Sequence, residues 1–476
     1  MENTWAQGFR TQREELTDVT LSVEGTLPEW LRGTYLGNGP GQFEIGGRAL
    51  DHWFDPLGML RRVEFGDRVR YSNRFVRSDD FRVAREDGRV RTPFPGTHSD
   101  RSAVGHLAEA LTGTFPDNPV IGVTRTSEGY FAVTEGPVGT RFDPETLETV
   151  DQRDLTEGLD CDLTLAHTHY DHEDGAFWSL GATYGRESAY TLFRRPDDGP
   201  PEAKTRLVFG DHPPYIHAFA LTERYAVVVE PPFGIDVTAL FLGAVRGETF
   251  LDAFGQREGP ARFHVLDREG GRRVAVATAD PFFVYHFANA YEDGERIVLD
   301  CVAFSDERAV TGLALENLRS DDPDLPSGDL VRFELPLSGG SAARTTLYEG
   351  PVEFPTIHYR RYNGQPHRYV YLTETEYGSL PTALVKMDVE EGTRRVWRES
   401  NLHPGEAVFV PAPEPASEDD GVLISIALDA DAGRSVVLCL DAETLAERAR
   451  APLPHRLPFG FHGQFYGETD PRRSMA

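Results

Sequence analysis

The chain has 476 residues, of which 77 are acidic and 48 are basic, and its formal net charge is −29 at pH 7. Such an acidic surface excludes binding to nucleic acid by neutralisation of phosphates. Lysine occurs only at Lys204 and Lys386, so arginine supplies nearly all of the positive charge. An acidic, lysine-poor surface keeps a protein soluble, and we expect a host with a salt-rich cytoplasm.

The remaining composition is typical of a globular intracellular protein. Hydrophobic residues make up 39% of the chain, which is enough for a large core. Cys161, Cys301 and Cys439 are far apart and form no CxxC pair, which argues against a disulfide framework or a zinc–thiolate site. The first residues lack the apolar segment of a signal peptide, and no stretch approaches the roughly 18 apolar residues of a membrane span. We therefore expect a cytoplasmic protein.

Short strands dominate the predicted secondary structure. Runs rich in β-branched and aromatic residues, bounded by turn residues, predict strands at Tyr130–Thr134, Tyr225–Val229, Ile297–Phe304, Arg368–Leu372, Gly421–Leu428 and Arg434–Leu440. Helical patterns are scarce, and the two candidates are Ala103–Leu111 and Val237–Val245. No linker rich in serine, glycine or proline divides the chain, so we expect residues 1–476 to form one domain.

A weak internal repeat combines an apolar residue, an aspartate and a short turn. Its aspartates are Asp143, Asp267, Asp388 and Asp441, which are 124, 121 and 53 residues apart. Each copy is typical of a tight hairpin between antiparallel strands. A unit of about 50–60 residues, counted once or twice, fits all three intervals and is typical of a β-propeller. Such hairpins are also common by chance, so the repeat alone leaves the fold open.

Four of the 15 histidines differ from the rest because they lie in apolar segments at predicted strand ends. They are His167, His217, His286 and His462. Nine others lie in polar or loop-like contexts, and we expect surface or hydrogen-bonded structural roles for them: His52, His98, His106, His212, His264, His358, His367, His403 and His455. An imidazole in an apolar run must have partners for its nitrogens. The inner strands of a propeller would bring the four together, and an all-imidazole shell suits Fe, Zn, Cu or Ni.

Three glutamates share the apolar context of those histidines. They are Glu135, Glu353 and Glu406. Ligating histidines normally donate their second N–H to a carboxylate or a carbonyl oxygen. As a set, these acids are candidates for that outer shell, although each taken alone is as typical of a surface position.

Five sequence blocks together carry a specific resemblance to a known family. They are Gly33–Gly41 (GTYLGNGPG), His52–Leu60 (HWFDPLGML), Tyr285–Glu292 (YHFANAYE), Glu353–Pro355 (EFP) and Pro458–Gly463 (PFGFHG). The chain resembles the carotenoid cleavage oxygenase family over nearly its whole length. The late blocks are most similar to the animal-type branch, which includes retinal-forming oxygenases and the retinoid isomerohydrolase.

The resemblance implies an all-β fold, a seven-bladed β-propeller with a dome of loops and short helices over one face. It also implies one ferrous ion (Fe2+) per chain on the propeller axis, held by His167, His217, His286 and His462. The outer-shell carboxylates would be Glu135, Glu353 and Glu406, and they would bind three of the four rings.

Two positions depart from the family pattern. Thr168 follows His167 where the family usually has proline, and His169 and His172 lie close by. Since residues two apart in a strand face the same side, His169 is an alternative first ligand. Pro56 and Leu57 replace a Gly-Asp pair in the early block, which we interpret as a loop change.

The implied function is oxidative cleavage of a conjugated C=C bond of a carotenoid or apocarotenoid by O2, which gives two carbonyl products. Central cleavage to retinal is the first expectation, and eccentric cleavage of an apocarotenoid is the second. Stilbene cleavage is an alternative, but Thr134 precedes Glu135 and no lysine is nearby. A retinoid isomerohydrolase and a non-catalytic binding propeller are further alternatives. No obligate protein partner is expected.

Carotenoids reside in membranes, so an apolar segment beside the second candidate ligand is relevant. Phe233–Ile235, Val237–Val245 and Phe250–Phe254 form that segment. It is typical either of a buried dome helix or of a shallow patch for transient contact with the inner face of the cell membrane.

Overall fold

The computed structural model describes residues 4–100, 116–376 and 380–467. Its strands form seven largely antiparallel sheets that are arranged as the blades of a β-propeller, with one parallel pair in the fourth. The fold predicted from the resemblance is therefore confirmed. The helix predicted at Ala103–Leu111 and the histidine His106 lie outside the described residues.

The first blade combines strands from both ends of the described chain. From its outer edge to the axis it consists of β1 (Leu16–Thr20), β8 (Arg70–Phe75), β7 (Leu57–Phe65), β3 (Gly33–Gly37) and β38 (Gly463–Gly467), and β4 (Pro40–Gln42) also pairs with β7. The late strand β38 pairs antiparallel with the early strand β3. The last described strand therefore completes the first blade, which closes the ring.

Blades two to four follow in chain order. Blade two consists of β9 (Gly122–Thr126), β10 (Gly129–Val133), β11 (Val138–Phe142) and β12 (Thr149–Asp154). Blade three consists of β13 (Leu163–Thr164), β14 (His169–Asp171), β15 (Ala176–Thr183), β16 (Ser188–Pro196) and β17 (Glu202–Gly210). Blade four consists of β18 (Ala220–Leu221), β19 (Tyr225–Glu230), β22 (Ala261–Asp267), β23 (Arg272–Ala279) and β27 (Gly340–Ser341).

Blades five to seven complete the ring. Blade five consists of β24 (Phe283–Asp293), β25 (Arg296–Phe304), β26 (Gly328–Pro336) and β28 (Ala343–Tyr348). Blade six consists of β29 (Val352–Thr356), β30 (Tyr369–Glu376), β31 (Leu380–Asp388) and β32 (Thr393–Trp397). Blade seven consists of β33 (Leu402–Pro404), β34 (Val408–Pro411), β35 (Gly421–Asp429), β36 (Arg434–Asp441), β37 (Glu447–Pro452) and β2 (Glu24–Gly25).

The connections between strands carry short helices and two small hairpins. The helices are α1 (Asp79–Glu86), α2 (Val237–Arg246), α3 (Arg308–Thr311), α4 (Leu315–Leu318) and α5 (Tyr359–Tyr362), with 3-10 turns at Thr4–Phe9 and Leu251–Ala253. The hairpins are β5 (Glu44–Ile45) with β6 (Arg48–Ala49) and β20 (Phe233–Ile235) with β21 (Phe254–Gln256). Across the described ranges, no helix is long and apolar enough to cross a membrane.

Helix α2 confirms the helix predicted at Val237–Val245. Asp236 caps its start by accepting a hydrogen bond from the backbone N–H of Ala239. Gly247 ends it in the left-handed conformation, with a φ of 79°. Both boundaries therefore follow from residues with the conformations that helix ends require.

The aspartate repeat marks one recurring turn of the propeller. The four aspartates each lie at the turn from one strand to the next outer strand of a blade: Asp143 between β11 and β12, Asp267 between β22 and β23, Asp388 between β31 and β32, and Asp441 between β36 and β37. These turns belong to blades two, four, six and seven. In each turn the aspartate Oδ1 accepts a hydrogen bond from a backbone N–H three residues later. The repeat unit of about 50–60 residues is therefore confirmed as one blade. Blades three and five lack the motif, so the two longer intervals each span two blades.

Strand alternation places apolar side chains between neighbouring blades. All six predicted strands are confirmed, as β10, β19, β25, β30, β35 and β36. Their apolar residues are largely buried and form the clusters that join one blade to the next. The three cysteines are free thiols, as expected.

Candidate metal centre

Four imidazole rings from four different blades meet near the propeller axis. His167 lies between β13 and β14 of blade three, His217 precedes β18 of blade four, His286 lies in β24 of blade five, and His462 precedes β38 of blade one. The centroids of neighbouring rings are between 4.6 and 5.3 Å apart. The structure thus brings together all four histidines that the sequence singled out.

The nitrogen atoms of these rings are close enough to one another to bind a single ion. Ligand atoms of His167, His286 and His462 all lie within 4.8 Å of one another. Nε2 of His217 lies 3.1 Å from Nε2 of His167. The fourth ring therefore adjoins the group formed by the other three.

Irregularities in the inner strands aim these rings at the axis. Residues 165–168 interrupt blade three between β13 and β14, and His167 lies in this gap. In β24, Val284 pairs with Ala303 but Phe287 pairs with Cys301, so one extra residue forms a bulge around His286. Bulges re-aim side chains and are frequent next to active sites.

Three carboxylates support three of the rings from behind. Nδ1 of His217 lies 2.5 Å from Oε1 of Glu135, and Nδ1 of His286 lies 2.6 Å from Oε2 of Glu353. Nδ1 of His462 lies 3.0 Å from an oxygen of Glu406. With each Nδ1–H donating to a carboxylate, the Nε2 lone pair of the ring is left for the centre.

Tyr215 is a member of this network that sequence reasoning missed. Its hydroxyl donates to Glu135 at 2.9 Å, and it also lies 3.1 Å from Nδ1 of His217. The available signal was its position two residues before His217, which places both side chains on one side of an extended segment.

Phe354 is the second missed residue, and its backbone is strained. Its φ of 52° is left-handed, which is unfavourable for a bulky aromatic residue. The conformation lets its backbone N–H donate to the carboxylate of Glu353, and its ring lies 5.6 Å from that of His286 and 5.5 Å from that of His462. Strain of this kind is maintained where the surrounding structure needs it, commonly at functional sites.

The electrostatics of the centre favour a neutral His286 ring. Burial, followed by the neighbouring His462 and His217 rings, holds the pKa of His286 well below its ordinary value. Burial also raises the pKa of Glu353 to about 8. Nε2 of His286 is buried and has no hydrogen-bond partner within the described part of the chain. An orphaned neutral imidazole nitrogen facing three others fits a borderline transition metal ion and does not fit Ca2+ or Mg2+, which prefer oxygen ligands.

His169, the alternative to His167, is engaged elsewhere. Its Nδ1 lies 2.9 Å from the hydroxyl of Tyr359, and its Nε2 lies 2.9 Å from the carbonyl oxygen of Phe219. The argument that residues two apart face the same side does not apply to His167 and His169, because residues 165–168 lie outside the strands. His172 is exposed.

Comparison with known proteins places this centre in a family. Residues 9–467 match the profile of the family described as RPE65, retinal pigment epithelial membrane protein. The chain belongs to this family. A carotenoid isomerooxygenase of Galleria mellonella is 31% identical, with 98% of this chain and 96% of that protein aligned. The β,β-carotene 15,15'-dioxygenase of Gallus gallus is 29% identical, with 97% and 98% aligned.

Solved structures of the family agree with the fold. A variant of Synechocystis apocarotenoid oxygenase superposes with a TM-score of 0.87 at 26% identity, and 98% of each chain is covered. A cobalt-substituted form of that oxygenase superposes with a TM-score of 0.85 at 27% identity. The predicted resemblance to carotenoid cleavage oxygenases is confirmed.

In this RPE65-family member, an apolar cavity reaches three of the four rings, those of His217, His286 and His462. Its apolar lining residues are Trp53, Phe54, Ile121, Tyr285, Phe304, Leu313, Phe354 and Phe461. A neighbouring cavity shares Phe54, Ile121 and His217 with it and extends to Phe250, beside the 3-10 turn that follows α2. Together the two cavities form an apolar path that borders the candidate metal centre.

Proposed function

We propose that this chain is a non-haem Fe(II) dioxygenase that cleaves a conjugated C=C bond of a carotenoid or apocarotenoid to give two carbonyl products. The observation that carries the proposal is the meeting of four imidazoles, three of them hydrogen-bonded to carboxylates, with an apolar cavity. The relatives named above are a β,β-carotene 15,15'-dioxygenase, a carotenoid isomerooxygenase and an apocarotenoid oxygenase, which supports the same substrate class.

The four rings, His167, His217, His286 and His462, would hold one Fe2+ per chain. When bound, the iron supplies the activation of O2 for attack on the electron-rich polyene. Four neutral imidazoles leave the charge of a dication uncompensated in the first shell. The carboxylates of Glu135, Glu353 and Glu406 fix the tautomers of three rings and offset that charge.

The remaining residues of the site bind and orient the substrate. The walls formed by Phe54, Tyr285, Phe304 and Phe461 exclude water and match the low polarity of a polyene. We assign no general acid, base or nucleophile to a side chain, because the reaction adds the atoms of O2 to the two carbons of the broken bond.

The position of the two lysines disfavours stilbene cleavage. Lys386 in β31 is buried and donates to Asp419 and to the carbonyl oxygen of Glu443. Lys204 lies in β17, on the outer side of blade three. Thr134 and Glu135 line the second cavity, and neither lysine does. No phenol-recognising lysine is therefore next to Glu135.

A substrate panel tests the proposal. Iron-loaded protein is incubated with β-carotene, with apocarotenals of several lengths and with stilbenes, and the aldehydes are identified by mass. The proposal predicts pairs of carbonyl products from a carotenoid or an apocarotenoid, with retinal expected from central cleavage. Turnover of stilbenes alone, or no product from any polyene by fully loaded protein, would contradict it.

We further propose that helix α2 touches the membrane surface from the cytoplasmic side. Phe241, Leu242 and Val245 are 51%, 54% and 40% exposed on successive turns of this helix. An apolar patch at the outer end of an apolar path suits the extraction of a membrane-dissolved substrate. The acidic body opposes anionic lipid at low salt, so contact depends on apolar burial and on screening.

We also propose that the protein is adapted to a salt-rich cytoplasm. The net charge of −29 produces self-repulsion that salt relieves.

A further inference from the structure

A small cavity beside the metal centre is lined by three residues that each carry a buried donor group without an acceptor, and two of them, Trp53 and Thr375, also line the apolar cavity that reaches the rings. The groups are Nε of Arg61, Nε1 of Trp53 and Oγ1 of Thr375, none of which has a hydrogen-bond partner in the described ranges. These residues are 4%, 5% and 2% exposed. We refer to this space, which is also bordered by Phe354 and Phe459, as the Arg61 cavity.

The charge of Arg61 is also uncompensated. Its Nη2 donates to the carbonyl oxygen of Pro40 at 3.1 Å, and no carboxylate within the described residues pairs with it. Burial lowers the pKa of Arg61, but a guanidinium stays protonated in proteins. Buried charges are normally paired, because removal from water is costly without a counter-charge.

The carboxylates nearest in sequence to the cavity lining have other partners. Glu406 follows the lining residue Gly405, and its two oxygens accept from Nδ1 of His462 and from the backbone N–H of Gly463. Glu353 precedes the lining residue Phe354, and its Oε2 accepts from Nδ1 of His286. Its Oε1 has no hydrogen-bond partner among the described residues, and no ion pair joins it to Arg61 there. Arg61 therefore lacks a counter-charge from the outer shell of the metal centre.

We propose that the Arg61 cavity binds a monovalent anion of halide size, which is chloride under cellular conditions. The space suffices for a group of about the size of a water molecule, which excludes phosphate, sulfate and organic acids. The anion accepts hydrogen bonds from the guanidinium, the indole N–H and the hydroxyl, and it compensates the charge of Arg61. A water molecule would satisfy the donors but would leave that charge unpaired.

Bromide identifies the occupant directly. Crystals are grown in NaBr, and diffraction is recorded at the bromine absorption edge. The proposal predicts an anomalous peak within hydrogen-bonding distance of Arg61 Nε, Trp53 Nε1 and Thr375 Oγ1. A cavity that contains only water, without an anomalous signal, would overturn it.

A solution experiment tests the donors separately. Melting temperatures are measured against NaBr and against sodium gluconate at equal ionic strength, so that general screening cancels. The wild type should show a saturable stabilisation by bromide, and Thr375→Val should weaken the apparent affinity about tenfold, because it removes a donor to a charged acceptor.

Thr140→Val is the matched control for that variant. Thr140 is equally buried and its hydroxyl is equally unpartnered among the described residues, but it lies in β11 outside the lining of the cavity. Its variant should keep the bromide response of the wild type. Identical responses to bromide and gluconate, or equal effects of Thr375→Val and Thr140→Val, would refute the anion site. Iron content and product formation are measured independently, so this result does not bear on the proposed oxygenase activity.

Discussion

At the scale of single residues, His167 and His169 lead to opposite predictions. His167→Ala removes a ring that faces three others, and we expect it to abolish stoichiometric iron binding. His169→Ala removes hydrogen bonds to Tyr359 and Phe219, and we expect it to destabilise the protein while iron binding persists. Metal analysis of the purified variants decides between them. Loss of iron in His169→Ala but not in His167→Ala would reverse the assignment.

Glu353 provides a graded test of the outer shell. Glu353→Gln keeps the size of the side chain but replaces the carboxylate that accepts from Nδ1 of His286. We expect a 10–100-fold loss of iron affinity, which is about the effect of losing such a partner. Competition with a chelator measures it. Glu374→Gln serves as the control and should leave the affinity unchanged, because Glu374 lies on the same blade as Glu353 but accepts from Tyr348 of the neighbouring blade.

The sequence allowed the prediction of the seven polar side chains of the centre, because each stands out in an apolar segment. Tyr215 and Phe354 were missed because apolar segments normally contain aromatic residues. The uncompensated charge of Arg61 could not be predicted either, since pairing depends on which carboxylates the fold brings near. Contacts between distant segments decide such roles, and a single sequence does not contain them.

At the scale of elements, helix α2 carries the prediction on membrane contact. Phe241→Ser combined with Leu242→Ser should reduce sedimentation with neutral liposomes in high salt, because it removes apolar area from the lipid interface. Val208→Ser combined with Val396→Ser changes residues that are also exposed, at 55% and 44%, on outer strands. This control should sediment as the wild type does. Equal behaviour of both double variants would contradict the patch.

Asp55 predicts a dependence of the free energy of unfolding on pH. It follows Phe54, which lines the second cavity. Its carboxylate accepts from His52, Gly96 and Thr97, yet burial raises the pKa of Asp55 to about 7. An unfolded chain releases this proton near pH 4, so the free energy of unfolding falls between about pH 4 and 7, by up to about 4 kcal/mol. Above pH 7 this contribution is constant.

Asp55→Asn isolates that contribution. The amide does not titrate, so the variant should lack this part of the decline whatever its absolute stability. Urea unfolding of both proteins at several pH values measures the difference. Parallel stability profiles between pH 4 and 7 would show that Asp55 does not titrate as proposed.

The elements themselves were largely predictable because local chemistry defines them. The aspartate turns, the strand patterns and the cap of α2 all depend on residues within a few positions of each other. The interruption at residues 165–168 was not predicted, since the sequence comparison of His167 with His169 assumed regular strand alternation between them. The ring of His167 meets the other three rings from within this interruption. That meeting depends on contacts between blades, which the local sequence does not contain.

At the scale of the whole molecule, the charge of −29 predicts a strong dependence of stability on salt. The melting temperature should rise steeply with KCl, because screening weakens repulsion among acidic groups. Potassium gluconate should produce most of the same rise, which separates this effect from the specific halide response of the Arg61 cavity. A flat response to both salts would contradict adaptation to a salt-rich cytoplasm.

The central claim is that the centre and its apolar cavity cleave a polyene with O2. The most direct measurement is mass analysis of rapidly quenched products from iron-loaded protein, a carotenoid substrate and 18O2. We predict two carbonyl products whose carbon atoms sum to those of the substrate and which both carry 18O, and none from His462→Ala. An unbroken carbon skeleton with unlabelled oxygen, as expected of an isomerohydrolase, would contradict the claim.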